Sequence, residues 1–261
     1  MEQEPKPKTK NSIFGGLAVL GIALMKFKVF IFMMLKQGLS MFIMIGLYSM
    51  LFGPIYALIV VALILIHEGG HYIFMKFFGL DPKLPVFIPF FGAYVAMDKL
   101  PPDQAVDAWV SLAGPLVGGV TSVMLFFFGA QQSSGLMMAA GSTGCFFNLL
   151  QLIPAKPFDG GFVINAIAKW VLIPGAAMVF LAAYLLQSPL FFILGIFSAF
   201  SAYRSFTGKV SERDLIKPAT GLEKVMIGMA YFTLAGALGP DFAAMVVSPS
   251  TKASNFCSMT A

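Results

Sequence analysis

The chain has 261 residues, 58% of them hydrophobic and 11% charged, with a net charge of +5. Soluble globules are about half apolar and about a quarter charged, and here the apolar residues come in long runs of the kind that face lipid, which excludes a soluble enzyme. The positive charge sits in short segments between those runs, a membrane-topology pattern and not a nucleic-acid-binding patch.

The opening "MEQEPKPKTKN" is polar and reads as a disordered leader over 1–12. It lacks an A-x-A-like end, so no cleavable signal peptide is expected. Residues 13–35 are apolar but interrupted by Lys26 and Lys28, and the reading favours an interfacial segment over a span. Spans are expected at 38–53 and 55–77, broken by Gly53 and Pro54. Residues 79–103 carry Asp81, Lys83, Asp98, Lys99, Asp103 and five prolines and read as a loop. Inside it, "VFIPFFGAYVAM" is aromatic and β-branched, which predicts a short hairpin.

Further spans are expected at 105–130 and 136–155, the latter running into "PAKPFDGG", then at 161–187, 189–203 and 222–247. The stretch 204–217, "RSFTGKVSERDLIK", is the most charged loop. With 13–35 interfacial and the N-terminus in the cytosol, Lys76, Lys83, Lys99, Arg204, Lys209, Arg213 and Lys217 all fall on the cytosolic side. The expected fold is an all-α polytopic membrane protein, with about six to seven transmembrane helices and a small membrane-associated β-hairpin. One intramembrane domain would cover 13–247, with a short tail over 248–261. Cys145 and Cys257 have neither a metal-site spacing nor that of a disulfide framework.

The chemistry lies in "LILIHEGGHYIF". His67 and His71 stand four residues apart, on one helical face. Two imidazoles at that spacing hold one Zn²⁺, and Glu68 beside them reaches its water as general base. Ionisable groups are rare in lipid and functional by default, and both histidines of the chain are in this motif. From Ile55 to His67 is roughly 18 Å of helix, past the middle of a hydrocarbon core about 30 Å thick. Gly69 and Gly70 cost helix propensity and fit either close approach of a neighbour or plain helix packing. A zinc site needs a third protein ligand. The best candidate is Asp159, where Pro154, Pro157 and Gly160-Gly161 break the helix, although alone such a turn reads as an ordinary surface turn.

"HEGGH" on one span, "SLAGPLVGG" on the next long one and "NLL…P…PFDGG" later resemble, in order and separation, the site-2 protease family of intramembrane zinc metalloproteases. The resemblance covers most of 39–203. It implies that His67, His71 and Asp159 bind one Zn²⁺ and that Glu68 is the general base. It also implies that the Asn148 amide stabilises the oxyanion near the scissile carbonyl, and that Gly114 packs close to the metal helix on the substrate side. Further, it implies that the hairpin carrying Gly92 and Tyr94 receives unwound substrate by strand addition. Gln151 stands where many relatives have proline, and the segment from Asn148 to Asp159 is a few residues longer than usual. No stretch suits a PDZ or CBS-type domain, so a bare catalytic core is expected.

The expected substrate is a transmembrane protein in the lipid bilayer, cut within or near its transmembrane segment. Nucleic acid is not an expected partner. The expected location is a bacterial or archaeal plasma membrane, with the active site toward the cytosol. Two other classes use the same residues: a metal or proton transporter, and an inactive membrane-protein binder. The chain shows neither the inverted repeats of the first nor the lost ligand or lost Glu68 of the second.

Overall fold

The computed structural model describes residues 39–88, 92–207, 213 and 215–258. The leader and the 13–35 segment lie outside the described residues. The chain runs as helices α1 (Leu39–Phe52) and α2 (Pro54–Phe77), strands β1 (Val86–Ile88) and β2 (Gly92–Tyr94), then α3 (Gln104–Gln131) and α4 (Gly135–Gln151). It continues as α5 (Asp159–Ala168), a 3₁₀ turn Lys169–Val171, α6 (Leu172–Leu185), α7 (Pro189–Phe206) and α8 (Gly221–Ser258). This is an all-α membrane fold with one small antiparallel sheet, in which Val86 pairs with Tyr94 and Ile88 with Gly92.

Among the described residues four segments are long and apolar enough to cross a membrane: α2, α3, Asp159–Leu185 and α7. Leu39–Phe52 is apolar but shorter. Large apolar side chains such as Met50, Phe77, Met124, Leu185 and Phe200 are exposed, an outer surface that suits lipid and not water. Gly53 makes the break between α1 and α2 at φ 87°, a left-handed conformation that glycine adopts without a Cβ penalty, and Pro54 opens the next helix.

α3 is the central pillar and packs against α2, α4, α5 and α8. Its main core joins Ala108 and Leu112 to Val163 and Ile164 of α5 and to Ile227, Leu234 and Leu238 of α8. Asp103 caps α3, accepting from Val106 N–H at 2.9 Å. The same end receives Lys217, whose carbonyl accepts from Gln104 N–H at 2.9 Å. The ends of the two charged segments, Asp103 and Lys217, therefore meet at one end of the bundle. There Arg213 is paired with the buried Asp107 and stacks on the Phe162 ring, with Cζ 3.9 Å from its centroid. The foot of the hairpin carries two exposed pairs, Lys83–Asp98 and Lys99–Asp81, each at 2.6 Å. Exposed pairs of this sort add little stability.

The element that places the site is α4, because it is short. With 28 residues α3 is about 42 Å long, whereas α4 with 17 residues is about 26 Å. The chain therefore leaves α4 well short of the far end of α3, deep in the bundle, and turns through 152–158 before α5. Irregular backbone at that depth must find partners within the protein. It does: Tyr231 of α8 donates to the Leu152 carbonyl, and Ser198 of α7 donates to the Lys156 carbonyl at 2.6 Å. α6 passes so close that a Cβ on Gly175 would strike the Pro154 carbonyl.

Candidate metal centre and catalytic cleft

α2 carries His67, Glu68 and His71, at 6%, 4% and 7% exposure. They sit six to ten residues before the end of α2 at Phe77, and the α4–α5 turn brings Asp159 to the two histidines. Asp159 is the first residue of α5, so its carboxylate lies at a helix N-terminus, where negative charge is favoured.

The three ligand-type side chains converge. His67 Nε2 and His71 Nε2 are 3.1 Å apart, and Asp159 Oδ2 is 3.3 Å from each. A tetrahedral zinc site with bonds of about 2.0–2.1 Å has ligand-to-ligand edges of about 3.3 Å, so this triangle has the dimensions of one face of such a site. Two further features fit a metal. Asp159 Oδ2 is buried and has no hydrogen-bond partner among the described residues. Gly114 of α3 faces the triangle, and a Cβ there would collide with the His71 ring and lie 2.8 Å from His67 Nε2. The cluster of His67, His71 and Asp159 is able to hold a metal ion.

His71 Nδ1 is 2.8 Å from the Val110 carbonyl. A carbonyl only accepts, so Nδ1 carries the proton and Nε2 presents its lone pair to the triangle. His67 Nδ1 is 2.9 Å from Asn148 Oδ1 on α4. The pillar helix reaches this pair at Gly118, where a Cβ would sit 2.6 Å from Asn148 Oδ1 and 3.0 Å from His67 Cβ. Gly70 is needed for packing, because a Cβ there would run into the Ala113 carbonyl, whereas a Cβ on Gly69 meets no described residue within 4 Å.

His67, Glu68 and Asn148 line a cavity of about 310 Å³. The rest of its wall is largely apolar: Tyr48 of α1, Ala93 and Tyr94 of β2, Phe147 of α4, Phe158 of the turn, and Phe191 and Leu194 of α7. Gln151 is the other amide on that wall. The sequence-predicted residues thus fall into two groups. His67, His71, Asp159 and Gly114 meet at the triangle, and Asn148 stands behind His67. Tyr94 is on the cavity wall, with Gly92 two residues along the same strand. Sequence reasoning did not find the Val110 carbonyl, since a backbone acceptor leaves no residue-type signal. Gly118 was visible only as one glycine of "SLAGPLVGG".

Residues 55–143 match the family model described as Peptidase family M50. That stretch contains His67, Glu68, His71 and Gly114 and stops before Asn148 and Asp159, which only the fold brings to the site. A probable chloroplastic zinc metalloprotease of Oryza sativa subsp. japonica is 32% identical over 117 residues, 42% of this chain and 18% of that protein. A zinc metalloprotease of Methanocaldococcus jannaschii is 27% identical over 137 residues, 49% of this chain and 40% of that protein. The chain therefore spans well under half the length of these curated relatives. A solved structure, the site-2 protease from Methanocaldococcus jannaschii, aligns with a TM-score of 0.42 at 21% identity, over 71% of this chain and 91% of that one.

Proposed function

We propose that this chain is an intramembrane zinc endopeptidase that cuts membrane-anchored proteins within or near their transmembrane segments. The observation that carries the reading is the triangle of His67 Nε2, His71 Nε2 and Asp159 Oδ2, with Glu68 next to it on the wall of an apolar cavity. The zinc metalloprotease names of its relatives support the choice of metal.

His67, His71 and Asp159 hold the metal. Bound there, zinc would supply a Lewis acid that brings the pKa of a water near neutrality. The Glu68 carboxylate takes the proton of the attacking water and delivers it to the leaving amine. Asn148 Nδ2 carries two hydrogens; one is donated to the Gly144 carbonyl at 2.8 Å, and the other is available to the developing oxyanion. The apolar wall admits a hydrophobic segment and keeps bulk water away. A helical substrate hides its carbonyls in hydrogen bonds, so a few residues must unwind. β2 has an edge not used by β1, and its Ala93 and Tyr94 border the cavity, so an unwound segment pairs there as an added strand. Placing the basic end of the bundle in the cytosol puts the site toward the cytosolic face of a bacterial or archaeal plasma membrane.

The test compares wild type with Glu68→Gln in proteoliposomes, using a panel of labelled single-span substrates. Cleavage should fall by about 10²–10⁴-fold, the usual worth of a general base, while zinc content stays at one per chain. Fragments from Glu68→Gln at the wild-type rate exclude Glu68 as the base. Ion flux without fragments from the wild type overturns the protease reading in favour of a transporter.

A further inference from the structure

We infer that Asn148 is a positioning residue for the metal site: its side-chain oxygen fixes the tautomer and ring orientation of His67. The inference rests on the metal-site reading above and adds to it a role outside the ligand set. Asn148 is 4% exposed and touches two groups whose hydrogen-bonding character is unequal. On one side is the Gly144 carbonyl, one turn earlier on α4, at 2.8 Å. A carbonyl only accepts, so the amide nitrogen must face it. The amide oxygen is then the atom 2.9 Å from His67 Nδ1. An amide oxygen also only accepts, so His67 Nδ1 must carry the proton. That leaves Nε2 unprotonated and directed at His71 Nε2 and Asp159 Oδ2.

The alternative amide orientation would set oxygen against the Gly144 carbonyl, and that carbonyl cannot reverse its polarity. Backbone chemistry on α4 thus propagates through one amide to an imidazole on α2. The pillar helix closes the arrangement. With no Cβ, Gly118 lets α3 press on the Asn148 oxygen and the His67 Cβ together, so neither side chain has room to swing. The two imidazoles are held in parallel ways from different sources: His71 by a backbone carbonyl, His67 by a side chain. Only the second anchor can be removed by substitution, which makes the inference testable.

Outer partners of metal-bound histidines are typically worth about 10–100-fold in metal affinity. The experiment measures zinc affinity of the detergent-purified full chain by competition with a chromophoric chelator, without substrate. Asn148→Leu, which removes the acceptor at similar volume, should weaken zinc by about 10–100-fold. Asn148→Asp keeps an acceptor oxygen toward His67 Nδ1 and, as the acid, an O–H for the Gly144 carbonyl in place of the amide N–H, and should bind zinc within about tenfold of wild type. A donor role toward an oxyanion does not bear on zinc affinity, so this pair of variants isolates the oxygen. Wild-type affinity in Asn148→Leu overturns the inference, as does weakening beyond tenfold in Asn148→Asp. If Asn148→Leu does not fold, Asn148→Asp decides alone. His71→Ala is the reference: if it too binds zinc normally, the metal-site reading has failed, and if it loses zinc while Asn148→Leu does not, only the positioning role has.

Discussion

Arg213 grips Asp107 through two nitrogens, Nη2 at 2.6 Å from Oδ1 and Nε at 3.1 Å from Oδ2, and so is tied to the first turn of α3. The Asp107 side chain is 7% exposed and the Arg213 side chain 23%. Removing one partner of a buried pair leaves a charge without compensation, at a cost of about 3–5 kcal/mol.

Arg213→Met should therefore lower unfolding stability by roughly 3 kcal/mol. The double variant with Asp107→Asn should recover most of that loss, because it buries no bare charge. Unfolding in detergent, followed by circular dichroism, completes the double-mutant cycle. Additive effects of the two substitutions would mean that Arg213 and Asp107 do not couple.

Gly114→Ala places a methyl group inside the ligand triangle. Metal content should drop from one per chain to near zero, as read by atomic emission on purified protein. Gly69→Ala is the contrast, since a Cβ there meets nothing within 4 Å among the described residues. It should keep full metal and gain up to about 1 kcal/mol from helix propensity.

Tyr231→Phe frees the Leu152 carbonyl in the turn that presents Asp159. The expected loss is about 1 kcal/mol for a buried hydrogen bond, seen as a lower Tm, with zinc affinity reduced several-fold. Ser198→Ala, which frees the Lys156 carbonyl, should act in the same direction. An unchanged zinc affinity in the double variant would show that the turn holds its shape without these ties.

In the hairpin, Gly92→Pro removes a backbone N–H from a strand three residues long, and Tyr94→Asp puts a charge on an apolar wall. Both should retain zinc and slow cleavage of a membrane-embedded substrate by at least about tenfold. Equal rates would remove the strand-addition role. Loss of zinc would instead place the hairpin among the supports of the metal site.

Much of this organisation is legible in the sequence, because apolar run length and Pro/Gly breaks are local signals. α2 is expected at 55–77 and found at Pro54–Phe77, and the hairpin forms within the segment read as one. The span expected at 161–187 begins instead at Asp159 and carries a 3₁₀ turn at Lys169–Val171, which no Pro or Gly at those positions announces. The helix expected at 222–247 runs on to Ser258. His67, Glu68 and His71 are legible because ionisable groups are conspicuous in an apolar run. Asp159 is legible only as an oddity of its turn; its approach to the histidines depends on α4 being short. The contacts of His71 with Val110 and of Arg213 with Asp107 join positions 39 and 106 residues apart and leave no local pattern.

The order in which the site's parts leave the ribosome follows from where they lie in the chain. Eighty-eight residues separate His71 from Asp159, and another 72 separate Asp159 from Tyr231. At about 5–20 residues per second, the histidine pair precedes its third ligand by roughly 4–18 s, and the brace from α8 follows roughly 4–14 s later. During synthesis the chain therefore passes through a stage with the two histidines and no Asp159, and then one in which the turn lacks its tie to Tyr231. The His67–His71–Asp159 triangle is complete only after Asp159 is made, and its turn is tied down only after α8 packs and Tyr231 reaches the Leu152 carbonyl.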